Sequence, residues 1–380
     1  MGLINTAVPV PAGWQLTVRI LAVANLLIGL SVTASEPFST AVYKHGTDGY
    51  HTYRIPALLL TQKGTLLAWC EGRKTSGRDH GDIDLVLKRS ADRGNSWTRM
   101  HPIYEEGSDA KVTIGNPCPV IDQGTGRIWM PFCRDNDDVL VMFSDDDGRS
   151  WSTPVEITDD VKADDWVWYA TGPGIGIQLQ RGKYTGRMVI PCDHSIERNG
   201  NRVMVSHVFY SDDHGKSWKL GGSLDIHTDE CQVVELADGT LMLNARNYWG
   251  HNGGRPDRGG KRAVSYSQDG GDTWSKLEFD ETLIEPICQA SILNYPAKPK
   301  HLLFSNPASQ TTRQTITVRL SRDEGRTWPV KKLLHAGPAA YSSLVAFPDS
   351  SIGCLYESGD EGGRRDRITF ARFSLKWLTE

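Results

Sequence analysis

From Tyr53 onward, apolar and polar positions alternate in short runs parted by turn residues, the period-two signature of half-buried β-strands. Five of these runs, Leu85–Arg89, Val139–Phe143, Val203–Tyr210, Arg262–Tyr266 and Thr315–Leu320, lead into one recurring motif, S-x-D-x-G-x-[S/T]-W. Its copies begin at Ser90, Ser144, Ser211, Ser267 and Ser321 and end at Trp97, Trp151, Trp218, Trp274 and Trp328. Successive starts lie 54, 67, 56 and 54 residues apart. The motif's chemistry predicts a turn. Asp accepts hydrogen bonds from backbone amides, Gly supplies positive φ, and Trp plugs the gap between layers.

Two further sets of runs share this spacing. One opens on a turn and continues as an apolar strand: Gly64–Cys70, Gly126–Cys133, Gly186–Cys192, Gly239–Ala245, Lys300–Ser305 and Ser351–Tyr356. The other precedes it: Tyr53–Leu58, Asn116–Ile121, Gly172–Leu179, Glu230–Leu236, Cys288–Leu293 and Tyr341–Phe347. Each unit reads strand, turn, strand, loop, strand, Asp-containing turn, strand. Six such units predict an all-β fold, a six-bladed β-propeller of four-stranded antiparallel blades. Two stacked β-sandwiches leave the even spacing unexplained. The sixth unit lacks the Asp motif. Its last strand falls near Arg367–Ser374, and the ring is expected to close by pairing early and late segments. No Pro/Ser-rich linker interrupts residues 36–380, which read as one domain with surface loops at Asn199–Asn201 and Gly250–Gly260.

The first 35 residues follow a different pattern. Arg19 precedes the apolar run Ile20–Leu30, and Val32-Thr33-Ala34 follows. This order predicts a signal peptide over residues 1–34, cleaved after Ala34, and export to the periplasm or beyond. The alternatives are an uncleaved anchor and a start codon placed too early upstream. The run is short for a membrane-spanning helix, so no span is expected in the mature chain.

The chain has 380 residues, 39% hydrophobic and 23% charged, an ordinary globular composition. A net charge of −4 argues against bulk nucleic-acid binding, so an anionic ligand must be met by local basic residues. The seven cysteines are odd in number, widely spaced and without C-x-x-C. That argues against a zinc site or a disulfide framework and for buried free thiols. No EF-hand loop occurs, so calcium is neither required nor excluded; no metal-ligating residue is singled out and no cofactor is expected.

The unit topology sorts residues by face. Strand starts and the loops after second strands share one end. That end collects Arg54, Glu71, Arg73, Asp79, Asp82, Asn116, Asp193, His194, Glu230, Arg246, Gln289, Arg313, Tyr341 and Glu357. Several arginines, several carboxylates and one tyrosine at one end of a propeller axis suit a small anion. The Asp-containing turns lie at the other end and read as scaffold.

Tyr53-Arg54-Ile55-Pro56 resembles the Y/F-R-I-P motif of the exo-α-sialidases (neuraminidases), and the five Asp motifs resemble that family's Asp boxes. The blocks Glu71-Gly72-Arg73-Lys74 through Asp79-His80-Gly81-Asp82, Glu230-Cys231-Gln232, Asn244-Ala245-Arg246, Ser305-Asn306-Pro307 through Arg313, Ala340-Tyr341-Ser342 and Leu355-Tyr356-Glu357 follow the family in order. The resemblance implies that Arg54, Arg246 and Arg313 grip the sialic acid carboxylate. Arg319 lies near the third but inside a strand.

The resemblance makes Tyr341 the nucleophile, Glu230 its proton acceptor and Asp79 the general acid/base, with Asp82 and Asp84 as nearby rivals. A tyrosine suits this substrate. A carboxylate nucleophile about 4 Å from the sugar's own carboxylate is repelled by roughly 4 kcal/mol at an effective dielectric near 20. Glu357 braces Arg54. Arg73, Asn116, Asp193, His194 and Gln289 are expected to line the N-acyl and glycerol pockets. Trp166, Trp168 and Tyr169 form an aromatic wall or plain core.

The implied activity is retaining hydrolysis of terminal sialic acid from glycoproteins, glycolipids or oligosaccharides, by a monomer. Three alternatives share the scaffold: a sialic-acid-binding lectin, a trans-sialidase or intramolecular trans-sialidase, and a propeller glycosidase of other specificity. The full set Tyr341, Glu230 and Asp79 disfavours the lectin, and the arginine trio disfavours a neutral-sugar glycosidase.

Overall fold

The computed structural model describes Gly2 and residues 36–106, 111–296, 298, 300–360 and 366–380. The chain divides between Thr33 and Ala34; the expected signal peptide falls, Gly2 apart, outside the described residues. The second unit, Ala34–Glu380, is an all-β, propeller-like array of antiparallel sheets.

The first sheet runs Thr52–Leu60, Leu66–Arg73, Ile83–Ser90, His101–Tyr104. The second has a split inner strand, Ile114–Gly115 and Val120–Ile121, then Ile128–Arg134, Asp138–Ser144 and Val155–Glu156. The third comprises Trp166–Thr171, Ile177–Gln178, Met188–Arg198, Asn201–Ser211 and Lys219–Ser223. The fourth runs Thr228–Glu235, Leu241–Asn247, Lys261–Ser267, Glu278–Ile284.

The remaining seven strands make one sheet: Ser291–Asn294, Leu302–Pro307, Gln314–Ser321, Val330–Ala346, Ser351–Ser358, Arg367–Ser374 and Phe38–Lys44. The expected six separate four-stranded sheets are therefore not found as such; the described residues form five sheets. The cause is the 17-residue strand Val330–Ala346. Its first half pairs with Gln314–Ser321 and its second half with Ser351–Ser358, fusing two sets of strands. Early and late segments do pair: Phe38–Lys44 lies antiparallel to Arg367–Ser374.

The Asp-containing turns are built as their chemistry predicts. In the first, Ser90 Oγ accepts from the Gly94 amide at 2.8 Å. Asp92 accepts from the Ser96 amide at 2.9 Å and from its hydroxyl at 2.5 Å. Gly94 takes φ 85°, a conformation open to glycine without strain. The same bonds recur at Asp146, Asp213, Asp269 and Asp323.

The motif tryptophans couple sheet to sheet. Trp151 packs edge-on against Trp69 of the first sheet and Trp218 against Trp129 of the second. Trp274 donates to the Gly222 carbonyl of the third sheet, and Trp328 to Asp280 of the fourth. Trp97 of the first sheet meets Phe370 in the seven-stranded sheet, which completes the circuit. All seven cysteines are buried free thiols.

Candidate active site

A cavity of about 290 Å³ is lined by side chains from the strands of four sheets and the connections of the second, among them Arg54, Asp79, Glu230, Arg246, Arg313 and Tyr341. No residue of the Asp-containing turns lines it. Three of its walls are inner strands that carry the same irregularity. Arg54 pairs with Glu71, but Ala57 pairs with Trp69, so one extra residue sits at Ile55-Pro56. Likewise Thr228 faces Asn247 and Cys231 faces Ala245, an extra residue at Asp229-Glu230. Ala339 faces Ser358 and Ser342 faces Tyr356, an extra residue at Ala340-Tyr341.

Each bulge interrupts the alternation of side chains and re-aims a site residue into the cavity. The first is also strained. Ile55 takes φ 60°, costly for a β-branched residue, and its amide is held by Glu357 at 3.0 Å. Proline tolerates this position because a bulge needs no ladder N–H from it.

The three guanidiniums converge on Tyr341. Arg54 stands 5.3 Å and Arg313 5.8 Å from its ring centre, and Arg246 Nη1 lies 3.4 Å from its hydroxyl. The hydroxyl donates to Glu230, which also accepts from Arg246 at 2.7 Å. Burial, then the Glu230 charge, holds the phenol well above its ordinary pKa, so it is neutral.

Arg54 is braced by the fully buried Glu357 at 2.7 Å. Arg246 has two acidic neighbours, Glu230 and, at 3.4 Å, Asp229. Arg313 donates only to the Ile287 carbonyl, at 2.8 Å, and pairs with no acid among the described residues. Its free charge points to an anionic ligand.

Asp79 sits on the exposed loop between the strands Leu66–Arg73 and Ile83–Ser90, with 75% of its side chain accessible. Arg73 donates to it at 2.7 Å and Arg54 lies at 3.6 Å. Partial burial pushes its carboxyl up, but the two guanidiniums outweigh this and hold it below the usual range. The base of the loop is tied down by paired bonds between Gly81 and Thr113, at 3.0 and 3.1 Å.

The BNR repeat-like domain family matches residues 64–354. A sialidase of Micromonospora viridifaciens is 35% identical over 361 residues, covering 88% of this chain and 53% of that protein. An exo-alpha-sialidase of Aspergillus fumigatus is 32% identical over 377 residues, covering 87% of this chain and 86% of its own length. The chain belongs to the exo-α-sialidase family. It spans about half the length of the Micromonospora relative and 61% of a Bacteroides fragilis sialidase. Among solved structures, a Hadza microbial sialidase superposes with TM-score 0.79 at 31% identity, over 90% of this chain and 69% of that one. An intramolecular trans-sialidase from Ruminococcus gnavus shares the fold at TM-score 0.73 and 18% identity, over 90% of this chain and 98% of its own.

Within this sialidase-family cavity, Arg54, Arg73, Asp79, Asn116, Glu230, Arg246, Arg313 and Tyr341 come together. Three other expectations are corrected. Asp193 is fully buried and does not line the cavity: its ladder with Asn201–Ser211 is regular, and the one irregularity in its other ladder puts the extra residue in the neighbouring strand, at Val167. Gln289 is also buried: it donates to the carbonyls of Ser342 and Pro173 and accepts from the Ser342 amide, locking the residue after Tyr341. His194 is buried, stacks on Trp166 with ring centres 3.4 Å apart, and does not line the cavity.

Of the aromatic trio, only Trp168 reaches the cavity; Tyr169 is core. The rivals to Asp79 fall away: Asp84 is buried against Tyr50 and Lys74, Asp82 pairs with Lys74, and neither lines the cavity. Arg319 is likewise outside it. Sequence reasoning missed Asp229, Tyr248, Asn136 and Arg202. Asp229 precedes Glu230 and on strict alternation belongs to the other face; the bulge presents both.

Proposed function

We propose that the chain is an exo-α-sialidase that hydrolyses terminal sialic acid from glycoproteins, glycolipids or oligosaccharides with retention at the anomeric carbon. One observation carries this reading: a neutral phenol hydrogen-bonded to a carboxylate inside three guanidiniums, one of which has no acidic partner among the described residues. The sugar carboxylate supplies the missing counter-ion for Arg313 and draws on Arg54 and Arg246. Asp79 protonates the departing glycosidic oxygen as its bond to the anomeric carbon breaks. Tyr341 Oη attacks that carbon and passes its proton to Glu230, giving a sialyl-tyrosine. Water, deprotonated by Asp79, then displaces the tyrosine, which recovers its proton from Glu230. Two inversions give net retention.

In the free site the arginines favour ionised Asp79, the wrong form for the first step. Binding of the substrate carboxylate to Arg54 weakens that hold and excludes water, and both effects return Asp79 toward its protonated form. Asn116, Arg73 and Trp168 stand at positions suited to contact the rest of the sugar. Glu357 keeps Arg54 in place from behind.

We read the fused seven-stranded sheet as two blades that share the strand Val330–Ala346, giving six blades in all. The change of pairing partner midway along that strand supports the division. Export after removal of residues 1–34, and action as a monomer, belong to the same reading.

The deciding experiment follows wild type and Tyr341→Phe on α2,3- and α2,6-sialyllactose by NMR. Free α-sialic acid as first product from wild type, with turnover lowered by roughly three orders of magnitude or more in the variant, is expected. Full turnover by Tyr341→Phe, or 2,7-anhydro or transferred product from wild type, defeats this reading.

A further inference from the structure

Asp193 is fully buried beneath the cavity, and neither of its carboxyl oxygens meets a hydrogen-bond donor among the described residues. A buried carboxylate without donors is a costly state, whereas the neutral acid is tolerated if its own hydrogen finds an acceptor. The packing narrows the choice of acceptor. Ser206 is the register partner of Asp193, and its hydroxyl donates to the Asp229 carbonyl at 2.5 Å. This sets the strand Thr228–Glu235 against Asp193, with the Asp229 carboxylate facing it.

The titratable groups around Asp193 come from four elements. Asp229, Glu230 and Cys231 lie on the strand Thr228–Glu235, Arg246 on Leu241–Asn247, Tyr169 on Trp166–Thr171 and Arg202 on Asn201–Ser211. Glu230 is already engaged by Tyr341 and Arg246. Among the described residues the one ion-pair partner of Asp229 is Arg246, through Nε at 3.4 Å, so the carboxylate has capacity to accept. Burial first, then the charges of Asp229 and Glu230, push the Asp193 carboxyl well up, with Arg246 opposing.

We propose that Asp193 is a positioning residue: it stays a neutral acid and donates to the Asp229 carboxylate, fixing that carboxylate against Arg246. The proposal rests on the sialidase reading and adds a regulator of its substrate-binding arginine. Ionised Asp193 brings a third carboxylate beside one guanidinium, and the substrate carboxylate must compete with all three. The wild-type KM therefore rises on the alkaline side while kcat changes less. The sign for stability is the same. A raised carboxyl stabilises the fold in its neutral form and loses that contribution as pH climbs through its folded value.

The test compares full-length wild type, Asp193→Asn and Asp193→Ala in kcat, KM for α2,3-sialyllactose and Tm across pH. Asp193→Asn keeps a donor that cannot ionise. It is expected to hold kcat within about threefold while removing the alkaline rise in KM and flattening Tm against pH. Asp193→Ala lacks the donor and is expected to raise KM roughly tenfold or more at every pH.

Identical alkaline limbs in wild type and Asp193→Asn, or equal behaviour of Asp193→Ala and Asp193→Asn, overturns the proposal. If the variants do not fold, infrared titration of wild type decides. A protonated-carboxyl band lost across the alkaline KM limb supports the proposal; its absence, or its persistence through that limb, defeats it. A wild type that cleaves no sialoside sinks the sialidase reading instead. The Tm comparison then still reports whether Asp193 carries a proton.

Discussion

At the scale of single residues, the three arginines differ in what they leave behind when removed. Arg313 leaves one carbonyl. Arg313→Ala is expected to lower kcat/KM about 10- to 100-fold, the loss of a charge-assisted contact of about 1.5–3 kcal/mol, with Tm nearly unchanged. Arg246 leaves two acids, Asp229 and Glu230, without their cation in a mostly buried setting. Arg246→Ala is expected to cost binding and also about 3–5 kcal/mol of stability, read by denaturant unfolding. An equal Tm for the two variants contradicts this account.

Asp79 gives the third prediction. Arg73 and Arg54 depress its carboxyl in the free site, so it is ionised there. An anionic sialic acid analogue that takes over Arg54 lets the carboxyl rise, and binding consumes protons between the two values. Calorimetry at acid pH in buffers of different ionisation enthalpy measures that uptake; zero uptake leaves the proposed coupling without support. These residue types were legible in the sequence because each chemical role requires a particular side chain. Asp229 was not, since its role depends on a local backbone irregularity that no residue type announces.

At the scale of elements, strand positions follow the pattern closely wherever the ladder is regular. Arg367–Ser374 and Ser351–Ser358 begin where the alternation predicts them. The expected inner strands at Asn116–Ile121 and Gly172–Leu179 are broken instead. In the second sheet, Asn116 adopts φ 59° between two short pieces. In the third, only Ile177–Gln178 of the expected run pairs. Propensity reports how a residue fits a regular pleat, and the cavity wall departs from regularity.

The Asp-containing turns behave oppositely, since every bond in them is local. Asp213→Ala removes two bonds to Ser217 and one to Ser211, and is expected to cost about 1–2 kcal/mol of stability without altering turnover. The carboxyls of Asp92 and Asp146 are held down to about 2, by the Ser96 hydroxyl for the first and by Ser150 against a burial penalty for the second. A depressed carboxyl stabilises above its unfolded value and loses that contribution as pH falls through its folded one. Asp92→Asn is therefore expected to lower Tm at neutral pH, with the deficit from wild type shrinking as pH falls from about 4 to 2.

At the scale of the whole molecule, closure depends on the strand Phe38–Lys44, which covers the edge of Arg367–Ser374. Deleting residues 1–44 uncovers a ladder of unpaired backbone groups. The deletion is expected to lower Tm and promote association, seen by calorimetry and light scattering.

By itself the sequence determined the all-β, repetitive architecture, the turns that fasten it and the residue types of the site. These follow from short-range periodicity and local hydrogen bonding, which are written along the chain. Tertiary structure decided the rest. It fused two sets of strands through Val330–Ala346, bulged three inner strands to aim Arg54, Glu230 and Tyr341, and buried Asp193 beneath Arg246. Such outcomes depend on contacts between segments far apart in the chain, where register and close packing override the preference of any one residue.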